Sequence, residues 1–451
     1  MHVVKSTTKE LIFILKNYQV CISGGGIGGL LLGYKLAQHG IKVCVIEQTA
    51  KQSHAYKGEL LQPKSLLILR DLGLLSRIER EGKKIYNIEF VELDEHQETL
   101  FNMNVSYDQL SPSINYSLMI PHEKLKDYIR QEAMKFENFF YISPARLQRY
   151  EHGKAIVKKE KEEVEISAEY FIGAEGRKSP TRDELGLKPK KYLYNHQFLT
   201  VTIPRPSELT NGKIITTPHK FLGLFPLPNQ LVRTVFLINR GEYPLYKERG
   251  LDDLRDQYNE LAPELKPYTP ALNSWSKIQL MDPISYHVEK YGEEELTLIG
   301  DAAHTVHPIA GQGMNLAMQD ADIVGELLYS IFKSRDSQIT LKDYEKVRRE
   351  RNKYILRMSK QSAYLYSFRN KYFQSLRIRG MKNLKRDPKL HFKQMLNISG
   401  LGLWKLSFVD YLVQAGLIPA REIPLSSING KRYFFNEKTD YPWKYEGGRS
   451  C

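Results

Sequence analysis

Residues 18–47 read YQVCISGGGIGGLLLGYKLAQHGIKVCVIE. An apolar run from Tyr18 to Ser23 meets a glycine-rich turn, a helical stretch through Leu36 and Ala37, and a second apolar run from Ile41 to Glu47. Strand, turn, helix and strand within about 30 residues make a βαβ unit. The turn is Gly24-x-Gly26-x-x-Gly29. Gly24 permits the tight reversal, Gly26 lets a pyrophosphate approach the backbone, and Gly29 lets the helix pack on the strand. The helix amino terminus then offers free N–H groups and a positive dipole end to phosphate, with Ile27 and Gly28 in its first turn. Glu47 ends the second strand where a carboxylate can accept from ribose hydroxyls, with Gln48 beside it. The unit therefore predicts a bound dinucleotide, without distinguishing NAD from FAD.

Roughly 270 residues downstream, a strand at Leu296 to Ile299 enters GDAAHTVHPIAGQGMN, residues 300–315. A strand end presents Asp301, which can hydrogen-bond a polyol such as a ribityl chain. The glycine-rich loop of Pro308, Gly311, Gln312 and Gly313 leads through Met314 and Asn315 into a helix, and its N–H groups can face a developing negative charge. A nicotinamide cofactor has no ribityl chain needing such a partner, so the second motif selects FAD. No residue is assigned a catalytic role beyond this flavin-side loop.

Taken together, the two motifs resemble the FAD-dependent aromatic hydroxylases, the class A flavoprotein monooxygenases that include p-hydroxybenzoate hydroxylase, ubiquinone-biosynthesis hydroxylases and squalene epoxidase. The resemblance runs from about Tyr18 to Arg357. It implies that Asp301 contacts the ribityl or pyrophosphate part, that Pro308 and Gly311 to Asn315 line the ring, and that Asp320 and Ala321 pack the following helix. A third family signature falls at residues 171–182, FIGAEGRKSPTR, with Glu175 where relatives carry Asp. Relatives associate that segment with both FAD and the pyridine nucleotide; the alternative is a turn held by an Arg182–Glu175 pair. GELLQP, residues 58–63, resembles a squalene epoxidase stretch, with Lys57 just before it where many relatives have Arg. His122 stands where relatives usually have Arg, and is either a flavin-side contact or an ordinary helix-start histidine.

The implied fold is α/β: a Rossmann-like FAD-binding domain, an inserted mostly antiparallel sheet domain for substrate, and a helical carboxy-terminal region. The boundaries are an amino-terminal extension over 1–17, FAD-binding parts over 18–191 and 292–360, the sheet domain over 192–291, and a basic helical region and tail over 361–451. Between 192 and 291 the texture turns to short β-rich runs broken by prolines. The implied reaction takes NAD(P)H and O2 and, through a flavin hydroperoxide, hydroxylates or epoxidises a small molecule. No second GxGxxG occurs, so the nicotinamide would bind transiently rather than in its own nucleotide domain. Phe221 to Pro228 (FLGLFPLP) reads as an apolar pocket lining or as plain core strand, and favours a lipophilic or aromatic substrate. Two rivals stay open: an FAD-dependent reductase of isoprenoid double bonds, like geranylgeranyl reductases, and a non-catalytic flavin-binding protein.

Lys and Arg number 66 against 52 Asp and Glu, a net charge of +14. Residues 331–400 hold 19 of those cations and 5 acids, so this one segment carries the whole excess. It reads as a solvated helical face or as a surface for peripheral membrane contact, with Trp404, Leu406, Phe408, Leu412 and Val413 behind it. No nucleic-acid motif accompanies the charge, and no nucleic-acid partner is expected. Cys21 and Cys44 lie in apolar strand patterns and Cys451 at the end, with no CxxC spacing. No metal site is expected, His304 and His307 included. A reducing cytoplasm fits, since no segment reads as a secretory signal or as a bilayer span. The pattern is silent on oligomeric state.

Overall fold

Strand 18–23 sits where the sequence puts it, at the centre of a parallel sheet. In the computed structural model, which describes residues 17–50, 58–110, 113–334 and 338–445, its neighbours are Val43–Ile46 and Glu162–Gly173. Phe139–Ile142 and Leu296–Leu298 extend the sheet on either side, all parallel. Side-chain alternation divides the two faces. Val20, Ile22, Val43 and Val45 pack under the helices Ile27–Gln38, His122–Ala133 and Gly313–Ser334. Cys21, Cys44 and Ile46 pack on the opposite face against an antiparallel layer, Arg146–Glu151 and Lys154–Lys159, that folds back from Glu162–Gly173. Both cysteines are buried free thiols, as their strand positions predict. With both faces covered, these strands are apolar runs rather than half-polar alternations.

The helix after Pro121 buries Leu125, Ile129 and Ala133, the fourfold spacing seen in the sequence. The helix expected near Asn315 begins two residues earlier, at Gly313, and runs to Ser334.

A second sheet has the spatial order Gln279–Met281, His196–Pro204, Leu231–Asn239, Phe221–Leu227, Gly212–Thr216, Asn87–Leu93 and Thr99–Ser106. All its pairings are antiparallel except Gly212–Thr216 with Asn87–Leu93. The sheet therefore draws a hairpin from residues 87–106, far outside the 192–291 segment. Strand 212–216 is short and largely buried, and its open edge is completed by the hairpin. Helices Tyr243–Arg249 and Leu251–Leu261 cover one face, burying Tyr246, Leu254, Tyr258 and Leu261.

Helix Leu341–Ser367 runs across the expected boundary at 360, and Lys371–Arg386, Pro388–Ser399 and Phe408–Ala415 follow it in the carboxy-terminal region. The last described stretch returns over helix 313–334. Asp440 accepts from Lys64 and Arg351, the Tyr441 hydroxyl donates to Asp322, and the Trp443 indole donates to Ser330. Among the described residues no helix is long and apolar enough to cross a membrane. Lys57, Cys451 and the extension over 1–16 lie outside the described residues.

Candidate functional site

The glycine turn is built by close approach. Gly24 has φ +109, and a Cβ there would fall 2.3 Å from the carbonyl oxygen of Ala174. A Cβ on Gly29 would fall 2.0 Å from the Gly24 oxygen, so helix and turn touch only because both lack side chains. Gly26 differs: nothing lies within 4 Å of its missing Cβ, and its bare backbone faces an open groove. Glu47 is fixed at the next strand end, accepting from the Gly25 and Thr49 N–H groups at 2.9 and 2.8 Å.

That groove is continuous, with a volume of about 1190 Å³. Its one end is lined by Gly24, Gly26, Ile27, Gly28, Gly29, Glu47 and Gln48. The other end is lined by Asp301, Pro308, Gly311, Gln312, Gly313 and Met314, with Glu175 and His122 on the walls between. Sequence-distant motifs thus share one trough, larger than the roughly 300–1,000 Å³ of ordinary small-ligand pockets. Asn315 is different. Its side-chain oxygen accepts from the Gln62 N–H and the Ser65 hydroxyl, and its amide donates to the Leu60 and Gly311 carbonyls, all at 2.7–2.8 Å. It is wholly buried behind the loop and clamps GELLQP to it, rather than lining the groove.

Asp301 presents a free carboxylate at the other end of the groove. Its carboxylate has no hydrogen-bond partner among the described residues, while its backbone oxygen takes the Tyr286 hydroxyl at 2.5 Å. Burial pushes its carboxyl above the ordinary value, partly offset by His304 and Arg177. Glu175 turns back on its own segment, accepting from Ser179 Oγ at 2.6 Å and from the Thr181 hydroxyl, and burial raises it too. Arg182 does not pair with Glu175. It donates to the Tyr286 hydroxyl at 3.0 Å, to the Ala302 carbonyl at 3.3 Å and to the Arg177 carbonyl at 3.1 Å, so it ties the third signature to the Asp301 turn.

Behind the turn lies Asp320, expected only to pack a helix. It accepts from the Gly300 N–H at 3.0 Å and from Arg348 Nε at 2.7 Å, and lies 2.7 Å from His304 Nε2. Burial alone would raise its carboxyl, but His304 and Arg348 hold it well below the carboxylate range. His304 and His307 join separate networks, His307 meeting His196 Nε2 to Nε2 at 2.8 Å, and no group of three possible metal ligands occurs among the described residues.

Arg177 and Lys178 of the third signature line the groove wall, together with three cations that the sequence reading does not single out, Lys126, Arg146 and Lys191. Lys126 lies 4.0 Å from Glu47 and sits one helical turn after His122, a spacing that puts both on one face. Phe221 to Pro228 does not line the groove; the strand is almost wholly buried within its sheet. Apolar lining of the groove comes instead from residues such as Leu60, Met281, Val306 and Pro308, with Leu60 and Val306 lying against Gly311 and Gly313. Glu59, at the same end, is held bidentately by Arg233 at 2.7 and 2.9 Å.

A half-buried carboxylate with no protein partner among the described residues, a bare backbone at a helix amino terminus and a trough joining them suit FAD: ribityl hydroxyls for Asp301 and pyrophosphate for Gly26 and the helix end. Comparison with known proteins agrees. A family model described as an FAD binding domain matches residues 17–359. The 6-methylpretetramide 4-monooxygenase of Streptomyces rimosus is 26% identical over 324 residues, 70% of this chain and 76% of that protein. The ubiquinone hydroxylase UbiL of Rhodospirillum rubrum is 24% identical over 364 residues, 77% of this chain and 81% of that protein. In fold, the chain is similar to PqsL of Pseudomonas aeruginosa, solved with 2-aminobenzoylacetate, at a TM-score of 0.71 and 23% identity over 80% of this chain and 99% of that one. It is similar also to p-nitrophenol 4-monooxygenase PnpA of Pseudomonas putida, at 0.72 and 17% over 85% and 99%.

Proposed function

The chain belongs to the FAD-binding-domain family of flavin-dependent oxidoreductases, and from that premise we infer that it is a single-component monooxygenase. In this reading NAD(P)H is the reductant, O2 the oxidant, and a lipophilic or aromatic small molecule the substrate that is hydroxylated or epoxidised. The observation that carries it is the single groove joining the Gly24–Gly29 turn to Asp301 and the Gly311–Gly313 loop.

FAD, when bound, supplies two-electron redox chemistry and the activation of O2. The chain's own groups position it. The Gly24–Gly29 turn and the amino terminus of helix 27–38 would hold the pyrophosphate, Glu47 and Gln48 the ribose, and Asp301 the ribityl hydroxyls. Lys126 adds positive charge beside Glu47. Arg182, Tyr286, Asp320 and Asn315 fix the backbone of the ring-side loop from behind. Leu60, Met281, Val306 and Pro308 would give the bound ring an apolar wall, which favours an apolar substrate. Glu175 keeps its carboxylate on Ser179 and Thr181, so it supports the turn next to the wall cations Arg177 and Lys178 where a nicotinamide dinucleotide would dock transiently.

The test is a cofactor extraction followed by anaerobic titration with NADH and NADPH and then a pulse of labelled O2. FAD in the extract, bleaching by reductant, and one labelled oxygen atom per product support the reading. Product formed without O2 uptake makes the protein a reductase, and a chain that binds no flavin overturns the reading altogether.

A further inference from the structure

The short helix Phe408–Ala415 is built to present apolar side chains to solvent. Its first turn is locked by a capping box, in which Ser407 Oγ accepts from the Asp410 N–H and the Asp410 carboxylate accepts from the Ser407 N–H. Asp410 and Val413 face inward and are wholly buried, which leaves Phe408 76% and Val409 46% exposed. The helix ends at Gly416 in a left-handed conformation, and the Leu417 N–H returns to the Leu412 carbonyl at 2.9 Å. Leu417, fixed by that turn, is 68% exposed. These side chains are held outward by regular capping, not left out by frayed chain.

The surroundings are rich in exposed cations. Helix 371–386 packs against this helix, with the Asn383 amide on the Val413 carbonyl and the Arg379 stem against Gly416. Arg379, Lys382, Lys385, Arg386 and Lys405 are all exposed, and none makes an ion pair among the described residues. The two acids of residues 371–421, Asp387 and Asp410, are wholly buried and already engaged by Arg421 and Lys393. Within that stretch no exposed acid offsets these five exposed cations, and the first exposed acid after it is Glu422.

We propose that Phe408, Val409 and Leu417, with these cations around them, form a docking surface for an anionic lipid bilayer. A protein partner needs about 800 Å² of matched surface on each side, far more than three side chains supply. A small apolar tip amid unpaired cations suits a bilayer, whose interface takes up the apolar groups while its anionic headgroups meet the charge. Membrane contact was open in the sequence on Trp404, Leu406, Leu412 and Val413 as well. The structure stacks Trp404 on Tyr433 at 4.0 Å and buries Val413, keeps Phe408 outward, and adds Val409 and Leu417. The inference stands independently of the oxygenation reading.

The test is cosedimentation of the flavin-loaded full chain with phosphatidylcholine vesicles, with and without phosphatidylserine. Binding is expected only with phosphatidylserine and is released by added salt. Phe408→Ser with Leu417→Ser should weaken it at least about tenfold, and each of Lys382→Gln and Lys385→Gln roughly fivefold. Flavin absorbance and melting temperature show whether these variants are folded. Phe408→Trp gives a second readout, a blue shift of its emission on the charged vesicles. The proposal is overturned if the chain ignores phosphatidylserine, if the Ser variants bind as well as the parent, or if the Trp emission does not move. It is also overturned if the parent is a dimer that Phe408→Ser with Leu417→Ser makes monomeric.

Discussion

Arg348 Nε donates to Asp320 Oδ1 at 2.7 Å, with the two side chains 1% and 0% exposed. The same carboxylate accepts from the Gly300 N–H, so the guanidinium holds the turn that carries Asp301 through one intermediary. Breaking a buried pair by removing one partner strands the other charge, at a cost of about 3–5 kcal/mol. Arg348→Met is therefore expected to lower the unfolding free energy by about that amount and to release FAD more readily. Urea denaturation and flavin fluorescence during dialysis check both. A variant with parental stability would show that Asp320 is held without Arg348.

Asp301 should behave in the opposite way. Its carboxylate has no partner among the described residues and burial disfavours its charge, so the apo fold gains nothing from it. Asp301→Ala is expected to leave apoprotein melting unchanged or raised, and to weaken FAD binding by roughly 10- to 100-fold, the loss of a charge-assisted hydrogen bond of about 1.5–3 kcal/mol. Fluorescence titration of apoprotein with FAD measures this. Unchanged affinity would remove Asp301 from the cofactor contact.

The contrast between these two aspartates marks what was legible in the sequence. Gly24, Gly29 and Asp301 are local requirements: each follows from a turn, a close packing or a strand end within its own motif. Asp320 reads as a helix-packing residue because its partners Gly300 and Arg348 lie on other elements. Asn315 reads as a ring-side residue for the same reason, since its acceptors and donors at Leu60, Gln62 and Ser65 arrive from about 250 residues away. In the hairpin over 87–106, strand 99–106 alternates but strand 87–93 carries Glu89 and Glu92 on opposite faces, and nothing local says which sheet the pair joins; that is decided by the edge of strand 212–216. Phe221 to Pro228 shows the converse, because an apolar run is the same whether it lines a pocket or fills a core.

Two glycines separate cofactor binding from folding. A methyl on Gly29 would meet the Gly24 oxygen at 2.0 Å, whereas one on Gly26 would meet nothing within 4 Å. Gly29→Ala should cost stability, with a markedly lower melting temperature in the apoprotein. Gly26→Ala should keep the apoprotein melting within a few degrees of the parent yet fill the space a pyrophosphate needs. Thermal melts with and without FAD distinguish them: the parent and Gly29→Ala, where folded, shift on adding FAD, and Gly26→Ala does not. Equal FAD-induced shifts in Gly26→Ala and the parent would place the phosphates elsewhere.

The His196–His307 pair sets an acid limit. The two Nε2 atoms lie 2.8 Å apart, and His307 Nδ1 accepts from the Ile309 N–H. His307 Nε2 must then carry the proton and donate to His196, so both rings are neutral. Burial, with Arg369 and Arg240 adding to it, pushes His196 down to about 4, and burial with His196 pushes His307 down to about 2. In the unfolded chain each returns to about 6.5. Between about 6.5 and 4 the unfolded chain binds protons that the native chain refuses, so stability rises with pH across that window and is lost as pH falls. Each imidazole contributes a slope of up to about 1.4 kcal/mol per pH unit. His196→Gln keeps a side-chain acceptor for His307 and removes one of the two protons, so its stability should fall less steeply on acidification. Urea midpoints measured through that window test this, and parallel pH dependences in parent and variant would show that the pair does not govern the acid limit.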